Sequence, residues 1–187
     1  MSIQCERPDA DLGCTLSKDD PYPPYCCAIL TSGGVNEEPI LLLERRPPNA
    51  AVAANQLTCF GGKREDGEVP LACLLRECRE ELGWQPEDGS PKRVVDLYVD
   101  GDLIAWFYQA SAPQCEFPLA FESGRGHGGV RVHLSELLDS TDSDAKQSDD
   151  VGCVSSSLSP WHKCVLQAWR CGERRADFVT RKRAREE

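Results

Sequence analysis

The 187-residue sequence contains no run of 18 apolar residues, and so offers no transmembrane helix. Its opening, Met1 to Pro8, lacks the basic segment and apolar stretch of a secretory signal. It also lacks the arginine-rich, acid-poor character of a mitochondrial presequence, since the first 23 residues hold five Asp or Glu against Arg7 and Lys18. Basic side chains are in short supply throughout: 21 Lys and Arg face 31 Asp and Glu, a formal net charge of -10. Phosphate backbones are held mainly by Lys and Arg, so nucleic acid is not an expected partner. A small phosphorylated substrate stays open, because a bound metal ion reverses the local field. The expectation is a soluble cytoplasmic protein of one ordinary domain.

There is no Cys-x-x-Cys pair and no internal repeat. That weakens a zinc ribbon and a thioredoxin-like motif alike. The 11 cysteines are odd in number, which does not suggest a disulfide scaffold. His162 and Cys164 with Cys153 and Cys171 could be drawn as a zinc set, but Cys164 and Cys171 stand seven apart in an amphipathic helical pattern. Most of the cysteines read as small buried hydrophobes.

The apolar runs that are present outline one mixed α/β unit. Residues 1–21 are polar and acidic, and read as a flexible arm. Cys26–Thr31 and Pro39–Arg46 read as strands joined by a turn at 32–36. Leu57–Phe60 reads as a short strand broken by Gly61-Gly62. Pro70–Leu82 is the clearest helix: Pro70 suits its first turn, Gly83 its end, and Leu71, Leu75, Cys78 and Leu82 form an apolar stripe. Arg93–Val99 and Leu103–Ala110 flank Asp100-Gly101-Asp102, a strong hairpin signal. Val130–Val132 is a short strand, Ser135–Leu138 a helical turn, and Ser159-Pro160 opens a last helix. Residues 172–187 read as a charged tail, locally basic. The domain is expected over 22–171, with a mixed sheet covered by helices.

The chemistry concentrates on the first helix. At 100° per residue Glu77, Glu80 and Glu81 fall within about 100° of one another, roughly opposite part of the apolar stripe. Three carboxylates on one face repel each other, and a divalent cation turns that repulsion into attraction. A charged solvent-facing surface is the plainer reading of the helix alone. Gly61-Gly62, just upstream, lets a backbone approach a ligand or metal closely.

Taken together, Gly62, Glu68, Arg76, Glu77, Glu80, Glu81 and Gly83 stand at fixed offsets over 22 positions. This pattern resembles the signature of the Nudix hydrolases, with Lys63 and Glu65 as frequent companions. Phe60 stands where the family generally has proline, Trp84 where it has an aliphatic residue, and Cys78 replaces another aliphatic residue. None of these changes removes a carboxylate. The signature covers 62–84, and the flanking order of strands and helices extends the resemblance over 24–171.

The resemblance implies the family's α/β/α sandwich and a Mg2+-dependent hydrolase, with Mn2+ as a substitute. The reaction would cleave the pyrophosphate link of a nucleoside diphosphate joined to another group: a nucleoside triphosphate, a dinucleoside polyphosphate or an ADP-sugar. It implies a metal site of Glu77, Glu80, Glu81 and the Gly62 carbonyl, with Arg76 orienting Glu77 and Glu68. The general base is either a signature glutamate or a loop acid, Glu122 or alternatively Glu116. Arg45, Arg46 and Lys63 are candidate phosphate or ribose contacts, His127 a weaker one, and Phe107 a candidate stacking surface for a base. A homodimer is common in the family. A non-catalytic Nudix-fold nucleotide-binding module and an RNA cap pyrophosphohydrolase are the competing readings.

Overall fold

The computed structural model describes residues 21–33, 37–87, 89–113, 129–139 and 157–180. The acidic arm, the loop candidates Glu116, Glu122 and His127, and Cys153 lie outside the described residues, apart from Pro21 at the arm's end.

Among the described residues, eight strands form one mixed sheet. They are β1 Tyr25–Ser32, β2 Ile40–Arg45, β3 Leu57–Thr58, β4 Phe60–Lys63, β5 Lys92–Val99, β6 Asp102–Ser111, β7 Gly129–His133 and β8 Arg175–Phe178. The helices are α1 Pro70–Leu82, α2 Leu134–Leu138 and α3 Pro160–Arg170. The expected antiparallel pair β1–β2 forms, with Leu30 opposite Leu42, and β5–β6 is the expected hairpin. β1 and β6 run parallel through the centre.

Alternation along the strands divides the core in two. Cys26, Ala28 and Leu30 of β1, with Leu42, Phe60, Tyr108 and Ala110, face α1 and its Cys73, Leu74, Cys78 and Leu82. Cys27 and Ile29, with Leu41, Leu43, Leu97 and Phe107, face α3 and its Val165, Leu166 and Ala168. The result is an α/β/α sandwich. Each fully buried Leu stabilises it by roughly 1.5–3 kcal/mol. Cys26, Cys27, Cys59, Cys73 and Cys78 are free and buried within this core, as small apolar side chains are.

Three differences from the sequence reading matter. The double glycine does not break the strand: the break falls at Cys59, and Gly61-Gly62 lie inside β4, opposite Cys27 and Cys26 of β1. β1 and β2 pair only near Ser32 and Ile40, and the segment β3–β4 occupies the gap that opens beyond. The apolar stripe of α1 is rotated as well. Its buried residues are Pro70, Cys73, Leu74, Cys78 and Leu82, while Leu71 is exposed and Leu75 only half-buried. Leu75 and Leu71 mark the margin of the buried face, and Glu77 and Glu81 lie within it.

The third difference is β8. Residues 172–187 read as a tail because Arg174, Arg175 and Asp177 mask the two inward apolar positions, Ala176 and Phe178. Ala176 is 3 % exposed, and β8 pairs in parallel with β5, Leu97 opposite Ala176. The fold therefore runs past residue 171. Ala176→Asp places an unpaired charge in the core and lowers the unfolding free energy by about 3 kcal/mol, measured by urea denaturation. A midpoint equal to that of the parent protein would mean that β8 does not belong to the cooperative unit.

Candidate metal and phosphate site

The site lies where α1 crosses β4. Gly61 has φ 137°, and a Cβ there would stand 2.2 Å from the Cys26 carbonyl oxygen. A Cβ on Gly62 would stand 2.5 Å from the Glu77 carboxylate. At Gly61 only glycine escapes the β1 backbone, and at Gly62 the missing side chain leaves the space that Glu77 fills. The space this opens is a cleft of about 280 Å³ lined by Arg46, Gly61, Gly62, Glu77, Glu80 and Glu81.

α1 delivers its acids to this cleft because Glu77 and Glu81, one turn apart, share the face turned toward β4. The Gly61 N–H donates to Glu81 Oε2 at 3.0 Å. Arg76 organises the neighbouring turn. Its Nε and Nη2 donate to the two oxygens of Glu68, each at 3.0 Å, and its Nη1 donates to Glu77 at 2.7 Å and to Glu80 at 3.5 Å. A second bond from Nη2 reaches the Lys63 carbonyl at 3.0 Å. One guanidinium thus ties the loop before α1, the end of β4 and two helix acids together.

Burial works against the charge on Glu68, but the bonds from Arg76 and the Glu65 N–H outweigh it and hold its carboxyl below the ordinary value. Arg76 is pushed up by Glu68 first. Glu77 moves the other way. Its burial raises it, and the bond from Arg76 only partly compensates. Glu81 is pushed up to about 8, by burial first and then by the Glu44 charge. Two carboxyls are therefore held where their own negative charge is disfavoured.

Two residues the sequence did not single out help to build the site. Glu44, on β2, is 2 % exposed and accepts from Arg46 Nη1 at 3.0 and 3.2 Å and from Thr58 Oγ1 at 3.2 Å. Arg64 is 3 % exposed and donates through Nε to the Pro23 carbonyl at 2.7 Å and through Nη1 to the Glu68 carbonyl. It fastens the segment before β1 to the loop before α1. The signal for Glu44 was present as an acid terminating an all-apolar strand, where a charge needs a partner.

The donor set fits a hard divalent cation. Three carboxylates and one guanidinium line the cleft, two of the three acids resist ionisation without a partner, and the glycines leave a cradle that a Cβ would fill. Among the described residues no three His, Cys, Asp or Glu side chains already converge as a metal shell. Arg76 takes one oxygen of each of two of these acids, Oε1 of Glu77 at 2.7 Å and Oε2 of Glu80 at 3.5 Å.

Of the other sequence candidates, Arg46 reaches the cleft and three do not place their side chains there. Arg45 follows Leu41 and Leu43 on the α3 face of β2, by alternation. Lys63 pairs with Tyr25, which packs on the α3-side cluster, so its side chain leaves away from α1 while its carbonyl serves Arg76. Phe107 is 1 % exposed in the α3-side core, edge-on to His162, and offers no face to a base. Its neighbour Trp106 is the half-buried aromatic of that strand, already covered by Arg93 at 3.7 Å and met edge-on by Tyr22.

Residues 22–146 match the NUDIX domain. The 8-oxo-dGTP diphosphatase of Escherichia coli K12 is 34 % identical over 74 residues, which are 39 % of this chain and 57 % of that protein. The chain thus spans a little over half the length of that curated relative. Among solved structures, the MutT NUDIX hydrolase of Burkholderia pseudomallei superposes with a TM-score of 0.51 at 22 % identity, covering 76 % of this chain and 94 % of that one. The MutT protein of Methanosarcina mazei Go1 gives 0.56 at 17 % identity, covering 83 % and 97 %. At these identities the structural likeness concerns the fold. The domain match extends over well more than half of the sequence, and the chain belongs to the Nudix family.

Proposed function

We propose that this protein is a divalent-metal-dependent hydrolase that cleaves the pyrophosphate link of a nucleoside triphosphate or a related nucleoside diphosphate derivative. One observation carries the reading: Glu77 and Glu81, raised carboxyls on the buried side of α1, open onto a glycine-lined cleft beside a guanidinium. Such an arrangement suits a cation and a phosphate together. Glu77, Glu80, Glu81 and the Gly62 carbonyl would hold Mg2+, or Mn2+ in its place. When bound, the ion supplies charge neutralisation for the diphosphate and a lowered pKa for the attacking water.

The remaining work falls to the chain. Arg76 orients Glu77 from one side and is itself fixed by Glu68 from the other. Outer contacts of this kind typically matter by 10–100-fold. Glu81 spends Oε2 on the Gly61 N–H and lines the cleft, a carboxyl able to hold a proton or a cation there. Arg46 presents positive charge at the same opening. Phosphoryl transfer depends mainly on such positioning and charge stabilisation. The relative named an 8-oxo-dGTP diphosphatase makes a purine nucleoside triphosphate the first substrate to try. A non-hydrolysing nucleotide-binding module is disfavoured because all of the signature glutamates are retained. No described helix is long and apolar enough to cross a membrane.

A panel of nucleotide derivatives with Mg2+ and with Mn2+ is expected to show hydrolysis, with the released phosphate product revealing the bond cut. Glu81→Gln lowers kcat by about 100-fold or more and Arg76→Ala by about 10–100-fold, while EDTA abolishes turnover. Full activity of Glu81→Gln in Mg2+ would refute the metal assignment.

A second expectation follows from Glu81 without metal. Its carboxyl holds a proton more tightly when folded than at its ordinary value of 4.5. That contribution is complete below the ordinary value and is lost as pH rises toward about 8. The unfolding temperature of metal-free protein therefore falls across this window in scanning calorimetry, and Glu81→Gln flattens the fall. Equal slopes for the two proteins would rule out Glu81 as the source.

A further inference from the structure

We propose that Glu44 is a positioning residue: it holds the Arg46 guanidinium at the cleft so that Arg46 receives a phosphate oxygen of the substrate. The inference rests on the hydrolase reading above and adds to it a residue outside the 62–84 signature.

The geometry begins with where Glu44 sits. β2 is apolar from Ile40 to Leu43 and then turns to Glu44, which alternation places on the α1 side with Leu42. Its side chain is 3 % exposed. A buried carboxylate persists only with partners. Both of its oxygens accept from a single nitrogen, Arg46 Nη1, and Oε2 also accepts from Thr58 Oγ1. Thr58 stands directly opposite Glu44 in the β2–β3 ladder, so the hydroxyl is delivered by strand register.

Arg46 is fixed at its backbone as well. Its N–H donates to the Gln56 carbonyl at 2.9 Å, and Pro47-Pro48 follow. The side chain is 28 % exposed and lines the cleft with Glu77, Glu80 and Glu81. Only Nη1 is spent on Glu44, and Nε and Nη2 bond nothing else among the described residues. A guanidinium has five N–H donors in a planar fork. Held from behind at one corner, it keeps the remaining donors for an anion, the arrangement that phosphate recognition uses. Glu44 itself does not line the cleft and so acts through Arg46. Without it, Arg46 is free to swing to the three cleft carboxylates, which compete with substrate for the same donors.

The test compares the parent protein with Glu44→Gln, Arg46→Ala and the double variant, at saturating Mg2+. Two readouts are taken: KM and kcat for nucleoside triphosphate hydrolysis, and calorimetric binding of Mg2+–pyrophosphate. Glu44→Gln is expected to raise KM and the pyrophosphate Kd about tenfold, with kcat changed less than about threefold. In the Arg46→Ala background the same substitution changes either constant less than about twofold. Thr58→Val, which keeps the carboxylate, raises both about threefold. It supplies the answer if Glu44→Gln does not fold. Equal effects of Glu44→Gln in the two backgrounds, unaltered constants, or parent protein that does not bind pyrophosphate would each overturn the proposal. Parent protein that binds pyrophosphate but hydrolyses no nucleotide would instead refute the hydrolase reading, and the binding cycle would still decide on Glu44.

Discussion

Everything at the site depends on how closely α1 approaches β4. Gly61 lets the strand cross Cys26 and Cys27 without a side chain between, and Gly62 lets the Glu77 carboxylate lie against the backbone. A methyl group at either position would collide with backbone or carboxylate at 2.5 Å or less. A side chain at 61 would force β4 off β1, and one at 62 would displace the Glu77 carboxylate from the cleft. The splay of β1 from β2 makes room for β3–β4, and it is β4 in that gap that meets the helix acids.

The contact carries an electrostatic cost. Drawing α1 onto the sheet brings Glu77 and Glu81 out of water and near Glu44, and burial then disfavours charge on both helix acids. The fold answers with two guanidiniums placed on opposite sides. Arg76 bridges Glu68, Glu77 and Glu80 along the helix, and Arg46 stands over Glu44 at the strand end. The two are not equivalent. Arg76 has all three of its nitrogens committed to protein groups, so it acts as scaffold. Arg46 keeps donors in reserve.

Much of this was legible in the sequence, for identifiable reasons. Long single-period segments declare themselves: α1 begins at Pro70 and ends before Gly83 as its composition indicates, and the hairpin at Asp100-Gly101 follows from its turn chemistry. The carboxylates and Arg46 came from their spacing and position. What was not legible depends on non-local contact. β8 offers only Ala176 and the partly buried Phe178 among charges, too short an alternation to declare a strand before its pairing with β5 is known. Phe107 and Trp106 are adjacent aromatics on one strand. Which of them meets the core is set by the phase of alternation, and that phase is fixed by register with β1. Glu44 looked like the polar end of an apolar strand until Thr58 was found opposite it.

The rotation of the apolar stripe on α1 shows a different way in which a local rule misleads. A hydrophobic-period argument assumes that the residues facing the sheet are the apolar ones. Here Glu77 and Glu81 hold the middle of that face, bracketed by Cys73 and Leu74 on one turn and Cys78 and Leu82 on the next. Leu71, which the period assigns inward, is displaced to solvent. A helix selected only for packing would place leucine at 77 and 81 and carry no cleft. The local rule fails at those two positions because the sheet-facing surface of α1 must both seal a core and hold charge above the glycines. The cysteines at 73 and 78, smaller than leucine, fit the same compromise: they fill the core beside the carboxylates without forcing α1 away from β4.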